Sequence, residues 1–139
     1  PLAQKFGELK VLPVAEIVKY GLDGEKAPPI NQYSGVHLEP KDYHEKLAES
    51  NTVIIDVRNH YEAAIGRFVP PNDSGEAKTS DNGPQWIDPK MRKSTEFPAW
   101  LDKKETKEMM KGKQVLMYCT GGIRCERASA LLKYKAPKM

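Results

Sequence analysis

Two apolar runs stand out in an otherwise polar chain, and neither alternates between hydrophobic and polar positions. They are Thr52–Val57 and Gln114–Tyr118. Continuous runs of this length are typical of strands that are buried on both faces, as in a parallel sheet. A helical pattern follows each run, at Asn59–Ile65 and at Arg124–Lys135, and a weaker one covers Val14–Tyr20. The alternation of strand and helix predicts an α/β fold with a mostly parallel central sheet flanked by helices.

Clusters of glycine and proline divide the chain. Gly21–Gly35 is predicted to be an irregular linker, and Val69–Pro98 is predicted to be mostly loop. Turn-forming residues within 72–85 predict that this part of the loop is mobile. A chain of 139 residues has the size of one domain. We therefore predict an N-terminal connector at residues 1–34 and one domain at residues 35–139.

Composition narrows the class of protein. Hydrophobic residues make up 39% and charged residues 29% of the chain, and the mean hydropathy is −0.65. No apolar run approaches the ~20 residues of a membrane-spanning helix, so we expect no membrane association. We expect an intracellular, cytoplasmic protein. Because the chain starts at Pro1, a plastid or mitochondrial location after removal of a transit peptide is the alternative.

The cysteines and histidines do not form a metal-binding pattern. Cys119 and Cys125 are six residues apart, which does not suit a zinc site with four ligands. The three histidines, His37, His44 and His60, are scattered. We therefore expect no metal, no organic cofactor, and reduced thiols in an intracellular compartment.

The strongest chemical signal is the loop after the second apolar run. Cys119 follows Gln114–Tyr118 directly, at the edge where α/β sheets bind ligands. Gly121 and Gly122 allow the backbone to curl, so that several N–H groups and the start of the next helix face one atom. These features lower the pKa of a thiol, and Arg124 adds a cation. We therefore predict that Cys119 is a nucleophilic thiolate.

The size of this loop separates two kinds of chemistry. Four residues lie between Cys119 and Arg124, one fewer than in the similar loop of cysteine phosphatases. The smaller ring fits one large polarisable atom better than a phosphoryl group. Sulfur is therefore favoured, and a phosphatase stays a weaker alternative that a test of phosphate-ester turnover would decide.

The sequence also carries a family resemblance. Cys119–Arg124 resembles the active-site loop of the rhodanese superfamily. The longer string Tyr118–Arg127 is similar to the subgroup that contains bacterial tRNA wobble-uridine hydroxylases and their eukaryotic, thiosulfate sulfurtransferase-like relatives. Further strings resemble other signatures of that subgroup: Ile55–Glu62, Ile65–Phe68 and Phe97-Pro98.

The resemblance covers about residues 35–134, apart from the loop at 72–85, and implies a rhodanese-like fold. The family fold continues past the active-site helix with a further strand and helix, and the subgroup carries a separate domain ahead of the rhodanese unit. Because this chain ends at Met139, we expect it to lack the family's last strand and helix and to be a fragment or a variant.

The resemblance also implies roles for the site residues. Cys119 is the catalytic residue, and the loop that binds the substrate consists of Thr120, Gly121, Gly122, Ile123 and Arg124. Asp56 and Arg58 are expected to form pocket walls and to brace the loop. The side chain of Arg124 is expected either to contact the substrate or to pair with a carboxylate such as Glu62.

Three other side chains have two interpretations each. Cys125 is expected either to resolve an oxidised Cys119 as a disulfide or to pack against the sheet. Trp86 and Trp100 are interpreted as core residues or loop anchors in preference to nucleobase-stacking residues. The net charge of +3 permits an RNA partner without requiring one.

The leading hypothesis is a sulfurtransferase. Cys119 takes sulfane sulfur from thiosulfate or another persulfide and passes it to a thiol or protein acceptor by double displacement. The first alternative is a tRNA wobble-uridine hydroxylase that uses the same cysteine and has tRNA as its partner. The second alternative is a non-catalytic rhodanese docking module, which the presence of Cys119 disfavours.

Overall fold

The computed structural model describes residues 7–14, 16–22, 26–70 and 83–136. Most of the loop predicted to be mobile, residues 72–85, lies outside these ranges. The described strands are β1 (Thr52–Asp56), β2 (Gln85–Ile87) and β3 (Gln114–Tyr118). The described α-helices are α1 (Ile30–Tyr33), α2 (Pro40–Leu47), α3 (His60–Ile65), α4 (Phe97–Asp102), α5 (Lys104–Met110) and α6 (Ile123–Lys135). No described helix combines the length and the apolar character that crossing a bilayer requires.

The three described strands form a parallel sheet in the order β2-β1-β3. β1 lies in the middle, and its register with β3 runs from Thr52 opposite Gln114 to Asp56 opposite Tyr118. All five residues of β1 are buried, because the strand has a neighbour on each edge and apolar side chains on each face. The predicted α/β fold with a parallel central sheet is confirmed.

Segments predicted as loop contain more regular structure than their glycine and proline content indicates. Val69–Pro98 includes β2 and a short 3₁₀ helix at Ser94–Glu96, and Gly21–Gly35 includes α1. The three residues of β2 form a strand because they pair with the free edge of β1. Pro98 lies in the first turn of α4, where the missing N–H costs nothing. Conversely, Val14–Tyr20 forms no helix where it is described, so that prediction was wrong.

The sheet separates two apolar clusters. On one face, Ile55 packs in a cluster with Phe97 of α4 and Leu131 of α6. On the other face, Ile54 packs in a cluster with Leu47 of α2. Adjacent residues of β1 thus point to opposite faces and meet different helices, as expected for a strand in the middle of a layered domain.

The segment before α1 contributes to the core. Tyr20 is 3% exposed, and its ring stacks on Phe97 with 5.6 Å between ring centroids. Leu9 and Val11, in contrast, are exposed. The segment before α1 is therefore exposed at Leu9 and Val11 and packed at Tyr20. The domain boundary after residue 34 stays a prediction.

Candidate active site

The fold brings the predicted site residues to one edge of the sheet. Asp56 ends β1, Tyr118 ends β3, and the two are register partners. Cys119 follows Tyr118 directly, at the carboxyl edge where open α/β sheets bind ligands. Its side chain is partly exposed and lines an open cavity of about 1400 Å³. The predicted nucleophile is therefore accessible.

One glycine turns the loop back toward the sulfur. Gly122 has φ +82°, a left-handed conformation that glycine adopts without steric cost. Gly122 is also the N-cap of α6, and no side chain caps that end of the helix. Its backbone N–H instead donates a hydrogen bond to Cys119 Sγ, with 3.0 Å between nitrogen and sulfur. The loop thus directs a backbone donor at the sulfur atom, as its glycines predicted.

Hydrogen bonds lower the pKa of the Cys119 thiol to about 4. The largest contribution comes from the thiol of Cys125. Partial burial acts in the opposite direction, and the backbone N–H groups of Cys125, Gly121 and Arg124 lower the pKa further. A thiol with this pKa is ionised at neutral pH, so Cys119 is a thiolate.

Cys125 has the opposite protonation state. It lies in the first turn of α6 and packs partly against the larger apolar cluster. Its hydrogen bond with Cys119 raises the pKa of the Cys125 thiol far above the usual value, and burial raises it further. The Cys125 thiol therefore stays protonated while Cys119 carries the charge. Cys125 therefore both packs against the core and contacts the nucleophile.

Arg124 is held by a carboxylate of α3. Its two terminal nitrogens donate to the two carboxylate oxygens of Glu62 at 2.8 and 3.0 Å. The same guanidinium donates to Thr120 Oγ1 at 3.0 Å. Hydrogen bonding by Arg124 lowers the pKa of Glu62 to about 2. Pairing with Glu62, one of the two roles expected for Arg124, is present and joins the cysteine loop to α3. The other role, contact with the substrate, stays a prediction.

A second carboxylate at this edge is fully buried. Asp56 is 0% exposed, and Arg58 donates to its two oxygens at 2.9 and 2.7 Å. The Tyr118 hydroxyl donates to the same carboxylate at 2.7 Å, and Arg58 also donates to the Gly66 carbonyl at 2.6 Å. These bonds join the ends of β1 and β3 to the turn after α3. In the described part of the chain, neither Asp56 nor Arg58 lines the cavity at Cys119.

Comparison with known proteins agrees with this geometry. The family model for the rhodanese-like domain matches residues 39–139. The chain belongs to the rhodanese-like domain family. It is also similar to proteins named tRNA uridine(34) hydroxylase from Brucella ovis, Brucella canis and Brucella suis biovar 1, each 38% identical over 128 residues. These alignments cover 92% of this chain and 35% of each relative, so the chain spans about a third of their length.

The cysteine loop of this rhodanese-like domain has two sides. Gly121 and Gly122 line the cavity together with Cys119. Thr120 and Arg124 instead contact Glu62 on α3. One side of the loop therefore faces the cavity, and the other side contacts α3. The catalytic and binding roles of these residues stay proposals.

Sequence reasoning missed a set of contacts between α6 and the N-terminal segment. Arg127 donates to Glu16 at 2.7 Å, and the backbone N–H of Tyr20 donates to the other oxygen of Glu16 at 3.2 Å. The Tyr20 hydroxyl donates to the carbonyl of Arg124 at 3.4 Å. No local pattern reveals these contacts, because Glu16 and Arg127 are 111 residues apart in the chain. We call Glu62–Arg124 the front ion pair and Glu16–Arg127 the rear ion pair.

The tryptophans occupy packed positions. Trp86 Nε1 donates to the Tyr118 hydroxyl at 3.0 Å, and the Arg67 guanidinium lies over the Trp86 ring at 4.0 Å from its centroid. Trp100 stacks on Phe97 with 5.5 Å between ring centroids. Both rings therefore serve as anchors, the interpretation that the sequence favoured.

The described residues contain no cluster of three or more His, Cys, Asp and Glu side chains suited to a metal ion. The expectation that the protein needs neither a metal nor an organic cofactor stays a prediction.

Proposed function

We propose that this chain is the cysteine-bearing catalytic domain of a tRNA uridine(34) hydroxylase, with Cys119 as the nucleophile and tRNA as the substrate. Two observations together support the proposal. The chain is 38% identical over 92% of its length to proteins of that name. Cys119 is a thiolate that opens to a cavity. The proposal takes up the first alternative from the sequence in place of the leading sulfurtransferase hypothesis.

A thiolate supplies the reactivity that hydroxylation of a uracil ring requires. Addition of the Cys119 thiolate to carbon 6 places an electron pair on carbon 5 and makes that carbon nucleophilic. Carbon 5 then attacks the terminal oxygen of an oxidant of the hydroperoxide class, and the remainder of the oxidant leaves as an alcohol. Loss of the carbon 5 proton expels Cys119. The N–H donor at its sulfur stabilises the thiolate that departs.

Nucleoside analysis of cellular tRNA tests this proposal. A strain that lacks the gene should lose hydroxylated uridine at position 34, the position in the relatives' name. The wild-type gene should restore the modification, and Cys119→Ser should not. Lys104→Ala, a change at an exposed position of α5, is the control and should restore it fully. An unchanged wobble uridine in the deletion strain would rule out the hydroxylase.

A sulfurtransferase is the second candidate because of the surroundings of the Cys119 sulfur. The donors at this loop converge on one atom, with the Gly122 nitrogen 3.0 Å from Sγ. Such an arrangement stabilises the charge of a persulfide as it does that of a thiolate. In this reaction thiosulfate or a persulfide gives sulfane sulfur to Cys119, and a thiol or protein acceptor removes it.

Cyanide separates the candidates. A sulfurtransferase treated with thiosulfate should release thiocyanate when cyanide is added, and its Cys119→Ser variant should release none. If the wild type releases none while tRNA hydroxylation depends on Cys119, the sulfurtransferase is excluded. If neither activity depends on Cys119, the non-catalytic docking module is the remaining interpretation.

A further inference from the structure

Two thiols meet at the active-site loop. Cys119 precedes the turn at Gly122 and Cys125 follows it, so the turn brings together residues that are six apart in the chain. The thiol and the backbone N–H of Cys125 both lower the pKa of Cys119, and the thiol does so more than any other group. Both cysteines are partly exposed and line the same open cavity. An oxidant that modifies Cys119 therefore does so with a second thiol in the same cavity.

We propose that Cys125 is the resolving thiol of this site: once a hydroperoxide has oxidised Cys119 to a sulfenic acid, Cys125 forms an intramolecular disulfide with it. The disulfide protects the nucleophile from irreversible oxidation and silences the site until it is reduced. This reaction is part of neither candidate activity. It depends on a reactive Cys119 thiolate, which both candidates share.

Both steps conserve atoms and electrons. The Cys119 thiolate attacks the terminal oxygen of the hydroperoxide and the O–O bond breaks. The leaving alkoxide, or hydroxide in the case of hydrogen peroxide, takes up a proton from solvent to become an alcohol or water. The sulfur of Cys125 then attacks the sulfenic sulfur. An S–S bond forms, the S–O bond breaks, and the departing hydroxide takes the Cys125 proton to form water. A dithiol reverses the modification by thiol–disulfide exchange.

The charges in the loop set the order of these steps. While Cys119 is an anion, its hydrogen bond holds the proton on Cys125 and raises the pKa of the Cys125 thiol. A sulfenic acid is uncharged, so oxidation of Cys119 removes the acceptor that holds this proton. The Arg124 cation, which lowers the pKa of Cys125, remains in place. Cys125 therefore becomes a better nucleophile after Cys119 has been oxidised.

Peptide mapping after mild oxidation tests the proposal. Trypsin cleaves after Arg124, between the two cysteines, and so separates the peptides Gln114–Arg124 and Cys125–Arg127 unless a disulfide joins them. The purified chain is treated with equimolar hydrogen peroxide and mapped under non-reducing conditions. It should lose two hydrogens and yield the two peptides as a linked pair. Dithiothreitol should then restore both free thiols.

Two variants serve as comparisons. Cys125→Ser, which keeps a small polar side chain, and the wild type are both also treated with a several-fold excess of hydrogen peroxide. The variant should then accumulate sulfinic and sulfonic acid on Cys119, and dithiothreitol should not restore alkylation of Cys119 by iodoacetamide. Cys119→Ser should form no disulfide within the chain, because Cys125 then lacks its partner sulfur. The linked peptides of the wild type are informative even if a variant fails to fold.

Two results would overturn the proposal. One is a wild type that gains oxygen on Cys119 to the same extent as Cys125→Ser. The other is a linkage that a non-reducing gel shows to lie between chains rather than within one chain. The disulfide test measures peptide masses and does not depend on tRNA. If no disulfide forms, the hydroxylase proposal is unaffected. If the wobble uridine is unchanged, the disulfide proposal is unaffected.

Discussion

The front and rear ion pairs place similar chemistry at two positions of α6 that are about one turn apart. In the front pair the side chains of Arg124 and Glu62 are 23% and 21% exposed. In the rear pair those of Arg127 and Glu16 are 11% and 5% exposed. The front pair borders the loop that carries Cys119, whereas the rear pair lies against the N-terminal segment that contains Tyr20.

This difference in burial indicates a difference in role. A nearly enclosed ion pair leaves an uncompensated charge when one partner is removed, which is strongly destabilising. A partly solvated pair loses less, because water reaches the remaining group. We therefore assign the rear pair to the stability of the domain and the front pair to the position of the active-site loop.

The largest expected effect concerns the ionisation of Cys119, which lies in the loop beside the front ion pair. Because the pKa of Cys119 is about 4, its alkylation by iodoacetamide in the folded protein should be nearly constant between about pH 6 and pH 8. In urea, where the thiol has its ordinary pKa near 8.5, the rate should rise roughly 100-fold over this interval. Glu16→Gln, at the rear ion pair, should leave the alkylation rate of the folded protein independent of pH over this interval. A folded profile that rises as steeply as the unfolded one would contradict the assignment of a thiolate.

The next largest effect is expected at the rear ion pair. Glu16→Gln leaves the Arg127 guanidinium buried without its carboxylate, and it should lower the free energy of unfolding by about 3 kcal/mol. Urea unfolding at neutral pH measures this change. Glu105→Gln, at an exposed position of α5, is the matched control and should cost less than about 0.5 kcal/mol. Equal costs at the two positions would show that the rear pair does not stabilise the domain.

The two ion pairs also show which contacts a sequence reveals. Pairing of Arg124 with a carboxylate such as Glu62 was one of two interpretations of the sequence, the other being contact with the substrate. The loop geometry was predictable as well, since a left-handed turn at Gly122 needs a glycine. The rear pair was not predicted, because Glu16 and Arg127 lie far apart in the chain and neither belongs to a local pattern that indicates a contact.

The strands also divide into those that the sequence predicted and one that it missed. The continuous apolar runs predicted β1 and β3 correctly. A strand that is buried on both faces has consecutive apolar residues, and this pattern is visible within a few residues of sequence. The strand at Gln85–Ile87 was missed, since three residues carry no periodicity and their pairing depends on the edge of β1. The role of the Tyr118 hydroxyl was missed for a related reason. Its acceptor, Asp56, becomes a neighbour only through the register of the two strands.

A smaller effect is expected at the front ion pair. Glu62→Gln should lower the free energy of unfolding by about 1–2 kcal/mol at pH 7, because Arg124 loses a charged acceptor but stays partly solvated. Cys119 alkylation should also slow, because Arg124 no longer holds Thr120 and the loop. Urea unfolding and alkylation rates measure the two changes, and an unchanged alkylation rate would contradict the positioning role.

The front pair also has a pH signature. The pKa of Glu62 is lowered to about 2, below the value of about 4.3 in an unfolded chain. The ionised Glu62 carboxylate therefore stabilises the folded protein fully at pH values above its pKa in the unfolded chain. This stabilisation is lost as the pH falls toward its pKa in the folded protein. The difference in unfolding free energy between wild type and Glu62→Gln should shrink from about pH 4.5 to about pH 2. A difference that persists at the lower pH would show that the charge of Glu62 is not its source.

The smallest effect is expected at the hydrogen bond between Tyr20, beside the rear ion pair, and the backbone of Arg124 in the front ion pair. The Tyr20 hydroxyl donates to the Arg124 carbonyl at 3.4 Å, a long contact, while the Tyr20 ring stacks on Phe97. Tyr20→Phe keeps the ring and should change the free energy of unfolding by less than about 1 kcal/mol and the alkylation rate of Cys119 by less than about twofold. Burial raises the pKa of Tyr20, so the hydroxyl stays protonated and the comparison holds at neutral pH. If Tyr20→Phe slowed alkylation as much as Glu62→Gln does, the N-terminal segment would act on the loop through the Arg124 backbone, and the separate roles of the two ion pairs would have to be abandoned.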